Sequence, residues 1–283
     1  MGNVIKMDFY RLVKSLSFKI CLGIVFLLSV ADGPLSKIIY NVGRTIAEHA
    51  DDDGKALKEI GEWVNDVHVG NIIANQMGII ATAVFLLCVV WFSYADIQHG
   101  YIKNIAGQLP SRGHTIVSKF VVIQASAVLF YLVDIIGQII GYVVSGFDLK
   151  FDVLYKGEDG AADKVFPFAS SFAELGIKLL LLSGVCALVL LLTTGVGSNV
   201  AGTIVAVLCG AGFAGLAYSG ITAGINKLFK LEDFDLGNYM PDSLYRTNLL
   251  EEGRMLTGLI VGVIAVVVLM YFTTTLYNKK DIK

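Results

Sequence analysis

The chain has 283 residues, of which 55% are hydrophobic and 16% are charged, and its formal net charge is −2. This composition excludes an ordinary soluble domain and a basic nucleic-acid-binding protein, and it is typical of an integral membrane protein. The charged residues lie in short segments between apolar stretches of about 20 residues, the length that crosses a bilayer.

An amphipathic segment precedes the first apolar stretch. Phe9, Leu12 and Val13 fall on one face of a helix, whereas Arg11 and Lys14 fall on the other. The pattern predicts a helix that lies in the membrane interface. It is equally compatible with a simple extension of the first span into the headgroups.

Six apolar stretches follow, at about residues 18–40, 72–95, 116–146, 175–194, 200–225 and 256–277. They are continuously apolar and show no alternation of polarity, so they predict helices rather than the strands of a barrel. The predicted fold is therefore an all-α membrane protein, with a single transmembrane domain of six helices over residues 1–283.

The first stretch contains Asp32-Gly33-Pro34, a sequence that favours a turn or a helix end. We therefore expect the first span to break or end here and an outer helix to follow. The preceding basic region, apolar run and Ser29-Val30-Ala31 also resemble a secretory signal peptide. The apolar residues that resume after Pro34 favour a retained span instead.

The placement of charges sets the predicted orientation. With the amino terminus inside, the inner segments and adjoining span ends carry ten basic and three acidic residues. The outer loops, at about residues 41–71, 147–174 and 226–255, carry nineteen acidic residues and fewer basic ones. Because short cytoplasmic loops are enriched in lysine and arginine, both termini are expected in the cytoplasm.

The cysteines and histidines form no recognisable motif. The cysteines fall within predicted spans far from one another, and no catalytic signature accompanies the four histidines. We therefore expect no catalytic residue, no metal site and no enzymatic activity on this chain. The cysteines are best explained as small apolar residues of the bundle; they are Cys21, Cys88, Cys186 and Cys209.

The inner segment between the second and third spans is long and basic. Tyr101, Ile102 and Ile105 recur at helical spacing, Lys103 faces elsewhere, and Pro110 ends the pattern. The pattern predicts a short amphipathic helix at about residues 99–110, at the cytoplasmic end of the bundle. A basic anchor in the lipid headgroups is the alternative.

The run ADIQHGYIKN at residues 95–104, followed by PSR at 110–112 and by Lys119, resembles the permease subunits of ABC-2 type transporters. In that family an acidic residue, a glycine, a basic–asparagine pair and a later arginine and lysine follow the second of six spans. The resemblance covers the topology of the whole chain. It implies an ABC-2, type V exporter-like fold in the plasma membrane of a bacterial cell.

The resemblance further implies that residues 99–110 form a coupling helix that docks on a separate ABC ATPase. The chain contains no phosphate-binding motif, so ATP and magnesium would bind to that partner, and no cofactor to this chain. A second permease copy or a paralogue is the other implied partner, with membrane lipid around the pair and no nucleic acid. The residues implied in coupling are Gly100, Tyr101, Ile102, Lys103, Asn104, Ile105 and Arg112.

Asp134 lies within the third predicted span, where a charge costs about 2.5–3.5 kcal/mol on insertion scales. Gln138 lies one turn further along the same helical face. Two interpretations stay open: a polar lining of the substrate path, or an interhelical hydrogen bond that orients the span.

Two further patterns concern packing. Glycines four residues apart, at positions 137 and 141, 220 and 224, and 258 and 262, predict close helix contacts. The mixture of aromatic and acidic residues at about 229–250 predicts a segment that folds back onto the bundle as a lid, which is also similar to the outer re-entrant segment of the family.

Together these features predict a permease that moves an amphipathic or hydrophobic substrate out of the cell, such as a peptide, a bacteriocin or a drug. One alternative is an ATPase-independent secondary transporter or channel in which Asp134 carries a proton. The other is a membrane anchor or sensor.

Overall fold

The computed structural model describes residues 2–50, 66–75, 77–98, 113–155, 164–229 and 234–279. Most of these residues are helical. The helices are α1 (Gly2–Lys14), α2 (Leu16–Ala50), α3 (Val69–Ala74), α4 (Ile79–Gln98), α5 (Gly113–Val144), α6 (Ala169–Leu190), α7 (Asn199–Ala211), α8 (Ala214–Phe229), α9 (Pro241–Arg246) and α10 (Met255–Lys279). A π-helical turn (Leu191–Val196) extends α6, and a 3₁₀ turn (Leu236–Tyr239) precedes α9.

Four short strands lie in the predicted outer loops. β1 (Asp66–His68) pairs in parallel with β2 (Asp148–Lys150), and β3 (Val153–Tyr155) pairs antiparallel with β4 (Lys164–Phe166). Asn71 joins α3 to β3, because its amide donates to the carbonyl of Leu154 at 2.6 Å and its carbonyl accepts from the Leu154 amide at 2.9 Å. The outer segments therefore form an ordered cap on the helices.

Five segments of the described chain are helical, long and apolar enough to cross a membrane: Leu16–Val42, Val69–Gln98, Gly113–Val144, Ala169–Val196 and Met255–Lys279. Asn199–Ala211 and Ala214–Phe229 reach this length only together, and they meet at an angle of 92°. The described structure therefore has five spans, or six if the bent pair is one span. This is the architecture of a multi-pass α-helical membrane protein.

Helices α2 and α5 run in the same direction and touch through their backbones. Ser29 faces Gly137, and four residues further along each helix Gly33 faces Gly141. A Cβ atom on Gly33 would lie 2.2 Å from the carbonyl carbon of Gly141, which is far inside van der Waals contact. The glycine pattern in α5 therefore predicted a true close approach, and the partner is α2 of the same chain.

Helices α6 and α10 are also parallel, because Ile177 lies against Gly258 and Gly184 lies against Ala265. Helix α4 is antiparallel to α5, since Asp96 contacts Lys119 and, further along, Phe85 contacts Phe130. Helix α6 is antiparallel to α5 as well, with Gln124 facing Ser183.

These directions bring several helix ends together. The amino-terminal ends of α2 and α5 and the carboxyl-terminal ends of α4, α6 and α10 lie at one end of the bundle, next to α1. We call this the α1 end. The strands and the end of α2 lie at the opposite end, which we call the outer end in keeping with the predicted orientation.

The core lies between α2, α4, α5 and α6. Phe85 and Phe130 are fully buried with ring centroids 5.1 Å apart, and Phe18 meets Phe130 edge-on at 5.7 Å. All four cysteines are buried and free, which confirms their prediction as packing residues; these are Cys21, Cys88, Cys186 and Cys209.

The predicted break at Asp32-Gly33-Pro34 was wrong, because α2 continues through Pro34 without interruption. The contact of Gly33 with α5 explains the difference. Asp32 also accepts a hydrogen bond of 2.8 Å from the hydroxyl of Tyr142. Packing on α5 therefore holds a helix where the local sequence favours a turn.

The amino-terminal helix predicted from the amphipathic pattern is present as α1, but its apolar face is divided. Leu12 packs into the bundle, whereas Phe9 and Val13 are exposed. Asp8 is buried beside Leu12. The polar contacts of α1 with the bundle were not visible in the hydrophobic pattern.

The fifth predicted span differs most from expectation, since it consists of two helices at right angles. Gly212 follows α7 with a φ of 80°, a left-handed conformation that glycine adopts without steric cost and that ends helices. Hydropathy does not distinguish a straight apolar helix from a bent one. The predicted fold-back of the following segment is confirmed, because Leu244 and Tyr245 of α9 are buried in the bundle.

The contact between α2 and α5 yields a test of the packing. We expect Gly33→Ala to destabilise the protein by about 1–3 kcal/mol, because the new methyl group meets backbone atoms that cannot move alone. Gly220→Ala in α8 is the matched control, since nothing lies within 4 Å of a Cβ there. Thermal unfolding in mild detergent measures both, and equal stability of the two variants would contradict the packing account.

Candidate functional site

A cluster of buried charges lies at the α1 end, where α1, α4 and α5 meet. It consists of Asp8, Arg11, Asp96, Ser118 and Lys119, and we call it the Asp96 cluster. Asp96 lies two residues before the end of α4, and Lys119 lies in the second turn of α5. The cluster therefore joins the two helices that flank residues 99–112.

Asp96 is the central acceptor of the cluster. Lys119 Nζ lies 2.7 Å from Asp96 Oδ2, and the two side chains are only 4% and 8% exposed. The other carboxylate oxygen, Oδ1, accepts a hydrogen bond from Arg11 Nη2. Both oxygens of one buried carboxylate are thus used, one by α5 and one by α1.

Lys119 makes further contacts with backbone carbonyl groups and an aromatic ring of α4. Its Nζ lies 3.5 Å from the carbonyl oxygens of Phe92 and Ser93 and 5.0 Å from the centre of the Phe92 ring. These groups present partial negative charge to the ammonium, and an aromatic face attracts a cation in the same way. One helix, α4, therefore supplies a carboxylate, two carbonyl oxygens and an aromatic ring to the ammonium of Lys119.

Asp8 supplies the second carboxylate and faces α5. It accepts a hydrogen bond of 2.6 Å from Ser118 Oγ and lies 3.7 Å from Arg11 Nη1. Burial raises the pKa of Asp8, while the Ser118 hydroxyl and the charge of Lys119 oppose that shift. The negative charges of the two acids and the positive charges of the two bases therefore compensate one another in a region of the protein with little access to water.

The arrangement has a clear mechanical consequence. Removing one partner of a buried ion pair leaves the other charged and unsolvated, at a cost of about 3–5 kcal/mol. Separating α1, α4 and α5 at this end therefore requires breaking several such contacts at once. The same contacts hold the ends of α4 and α5 next to residues 99–112 against α1.

The residues predicted for coupling lie outside the described residues: Gly100, Tyr101, Ile102, Lys103, Asn104, Ile105 and Arg112. Two residues quoted with them, Asp96 and Lys119, are described, and the structure brings them into direct contact. The ion pair between them was not part of the prediction. Their opposite charges at the two ends of one loop were the available signal.

Asp134 and Gln138 are placed between α2 and α5. Asp134 is buried, and its carboxylate accepts hydrogen bonds of 2.5 Å from Ser29 Oγ and 2.8 Å from Gln138 Nε2. Of the two interpretations left open by the sequence, the interhelical hydrogen bond is the contact observed here. Lining of a substrate path by Asp134 and Gln138 stays a prediction.

A second buried ion pair was missed at the sequence level. Glu174 and Lys178 of α6 are both fully buried, with Lys178 Nζ 3.5 Å from Glu174 Oε1. Glu174 also accepts from the amide of Leu249 at 2.7 Å and from the hydroxyl of Tyr155 at 3.1 Å. The signal was an acid and a base four residues apart in an apolar helix, a spacing that places both on one face.

No known family model matches this chain, and no curated protein matches it as a relative. The class is therefore defined by the architecture alone, as a multi-pass α-helical membrane protein with charges buried at both ends of its bundle.

Arg11 and Lys14 give a matched test of the Asp96 cluster, because both are basic residues in the last turn of α1. We expect Arg11→Met to lower amide-exchange protection in α1 about tenfold or more, since a charge-assisted hydrogen bond contributes about 1.5–3 kcal/mol. Lys14, which is exposed and lies over the ring of Tyr10, should tolerate Lys14→Met. Equal loss of protection in both variants would contradict the docking of α1 through Asp96.

The pair in α6 yields a second test, based on two variants. Glu174→Ala should destabilise the protein by about 3–5 kcal/mol, because Lys178 is left as an uncompensated buried charge. Lys178→Met combined with Glu174→Leu should cost less than this single change, although it removes more polar groups. Thermal unfolding in detergent ranks the variants, and a double variant less stable than Glu174→Ala would show that the charge balance is not decisive.

Proposed function

We propose that the chain is the permease subunit of an ABC-2 type ATP-driven exporter, with the α1 end in the cytoplasm of a bacterial cell. A separate ATPase subunit would dock on residues 99–112. Two permease subunits, identical or paralogous, would form the pathway. The substrate would be an amphipathic or hydrophobic molecule such as a peptide, a bacteriocin or a drug.

The observation that carries this proposal is the Asp96 cluster. A coupling segment must pass a displacement to the spans rather than flex by itself. Asp96 and Lys119 hold together the two helices next to residues 99–112, and Arg11 ties both to α1. A partner that moves this segment would therefore move α4, α5 and α1 as a unit.

The sequence of the segment supports the same proposal. Tyr101, Ile102 and Ile105 offer an apolar face of the kind that anchors protein interfaces, and Lys103 offers a charge for the rim. The resemblance to ABC-2 permeases rests on these residues together with Asp96 and Lys119, which are in contact. The ATP-binding function is assigned to the partner, because the chain contains no phosphate-binding motif.

The test is a pull-down of the tagged protein in mild detergent, scored for a bound ATPase and its turnover. We expect the wild-type protein to retain an ATPase and Ile102→Asp combined with Lys103→Glu to lose it. Val196→Asp is the matched control, since it also replaces an aliphatic residue by an acid, here at an exposed position of the α1 end outside residues 99–112, and it should retain the ATPase.

Two outcomes would overturn the proposal. If no ATPase is bound under several detergents and lipids, the secondary-transporter alternative takes its place, and proton-driven transport that requires Asp134 would establish that alternative. If Val196→Asp loses the ATPase as fully as the double variant, docking is not specific to residues 99–112.

A further inference from the structure

Helix α9 lies between the ends of two interrupted helices. Helix α7 ends at Ala211, and α4 begins at Ile79 after the interruption that follows α3. The last carbonyl groups and the first amide groups of a helix have no partner within that helix. In an apolar bundle such groups must be satisfied by other parts of the protein.

Tyr245 of α9 contacts the chain just before α4 begins. Its hydroxyl accepts a hydrogen bond of 3.2 Å from the amide of Met77 and lies 2.8 Å from the hydroxyl of Tyr131. Tyr245 is buried, and its ring meets that of Tyr131 edge-on. This contact fixes α9 in the bundle from one side.

Arg246, the next residue, satisfies the end of α7. Its Nη2 atom donates to the carbonyl oxygens of Cys209 and Gly210 at 2.7 and 2.6 Å. The guanidinium also lies against Gly212, with Cζ and Nε 3.3 Å from the position that a Cβ atom would take there. The bend after α7 thus leaves a space next to two backbone carbonyl groups, and the planar guanidinium of Arg246 occupies it.

Asp242 lies one turn before Arg246 on α9, where burial raises the pKa of its carboxyl and the charge of Arg246 opposes that shift. It is buried and accepts a hydrogen bond of 2.6 Å from the hydroxyl of Tyr218 in α8. The carboxyl end of a helix carries about half a negative charge from its carbonyl dipoles. The end of α7 and Asp242 therefore both favour a cation.

We propose that the carboxyl end of α7, with Asp242, is a binding site for an organic cation of the guanidinium or alkylammonium class, and that Arg246 is its built-in occupant in this conformation. The site is not sealed, because Arg246 is only partly buried. On the proposed export function, on which this part rests, the competing ligand is a lysine or arginine side chain of an exported peptide.

The position of Arg246 in α9 explains how its side chain can compete with an external cation for the same site. The helix has only six residues, and Arg246 is its last, so the guanidinium can leave without dismantling a long element. Once it leaves, the carbonyl group of Gly210 loses its contact with Arg246, and that of Cys209 keeps only the amide of Gly212 at 3.4 Å. A cation from outside the chain then supplies the same two hydrogen bonds.

Chemical rescue of Arg246→Ala tests the site in the full chain, in detergent and without any ATPase. The probe is ethylguanidinium at millimolar concentration, with ethylurea as the neutral molecule of the same shape and sodium chloride as the ionic control. We expect the variant to unfold at a lower temperature than the wild type. Ethylguanidinium should restore about half of that loss or more, because a ligand that binds only the folded state stabilises it, and ethylurea should restore none.

Arg254→Ala is the matched control, because Arg254 also donates to a backbone carbonyl, that of Asn238 at 2.5 Å, but on an exposed loop. It should show no rescue by ethylguanidinium. If Arg246→Ala does not fold, Arg246→Gln keeps a hydrogen-bond donor without the charge, and a smaller rescue by ethylguanidinium is expected of it, again with none by ethylurea.

Equal effects of ethylguanidinium and ethylurea on the variant would overturn the proposal, as would equal rescue of Arg254→Ala. Because no ATPase is involved, this failure would leave the coupling proposal untouched. Conversely, rescue of Arg246→Ala alongside a failed ATPase pull-down would keep the cation site and remove only its assignment to an exported peptide.

Discussion

The ion pair of Asp96 and Lys119 is the contact on which the α1 end depends. Two charged groups in an apolar bundle are stable only together, because either one alone would lack both water and a counter-charge. Their pairing fixes α4 against α5, and Arg11 extends it to α1. The segment that connects these helices, residues 99–112, is therefore flanked at both of its ends by the same electrostatic contact.

At the outer end, buried charged and polar groups also require partners, which different residues supply. Glu174 accepts hydrogen bonds from a backbone amide and a tyrosine hydroxyl that would otherwise be unsatisfied in the interior, and its charge compensates that of Lys178. Arg246 and Tyr245 likewise supply partners to backbone groups at the end of α7 and just before α4. The protein can interrupt its helices within the bundle because side chains of α9 replace the missing backbone partners.

The sequence predicts the coarse architecture well, because a helix that crosses a bilayer requires a long continuous run of apolar residues. The long apolar helices lie where the hydrophobic runs place them, and the glycines at 137 and 141 mark a real contact. Prediction from the sequence fails where contacts between residues far apart in the chain determine the local structure. Pro34 stays helical because Gly33 rests on α5, and the bend at Gly212 depends on Arg246, which lies more than thirty residues further along.

The same limit applies to the candidate sites. Asp134 is conspicuous in the sequence as an acid within an apolar run, yet its hydrogen bond to Ser29 of another helix emerges only from the fold. Lys178 is as conspicuous, but it is explained only by Glu174 and by the outer segments that fold over both. A pattern thus indicates which polar groups need a partner, whereas the tertiary structure decides which partner each receives.

Helix α4 connects the Asp96 cluster with α9. It is a helix of 20 residues, about 30 Å long at 1.5 Å per residue. Its last turn carries Asp96, and the amide of Met77 just before its first turn is held by Tyr245. Ala83 in that half also rests against Gly210, next to the carbonyl groups that hold Arg246. A displacement applied at the Asp96 cluster along α4 therefore acts on two of the contacts that hold α9 in the bundle, so α4 connects the α1 end with the cation site.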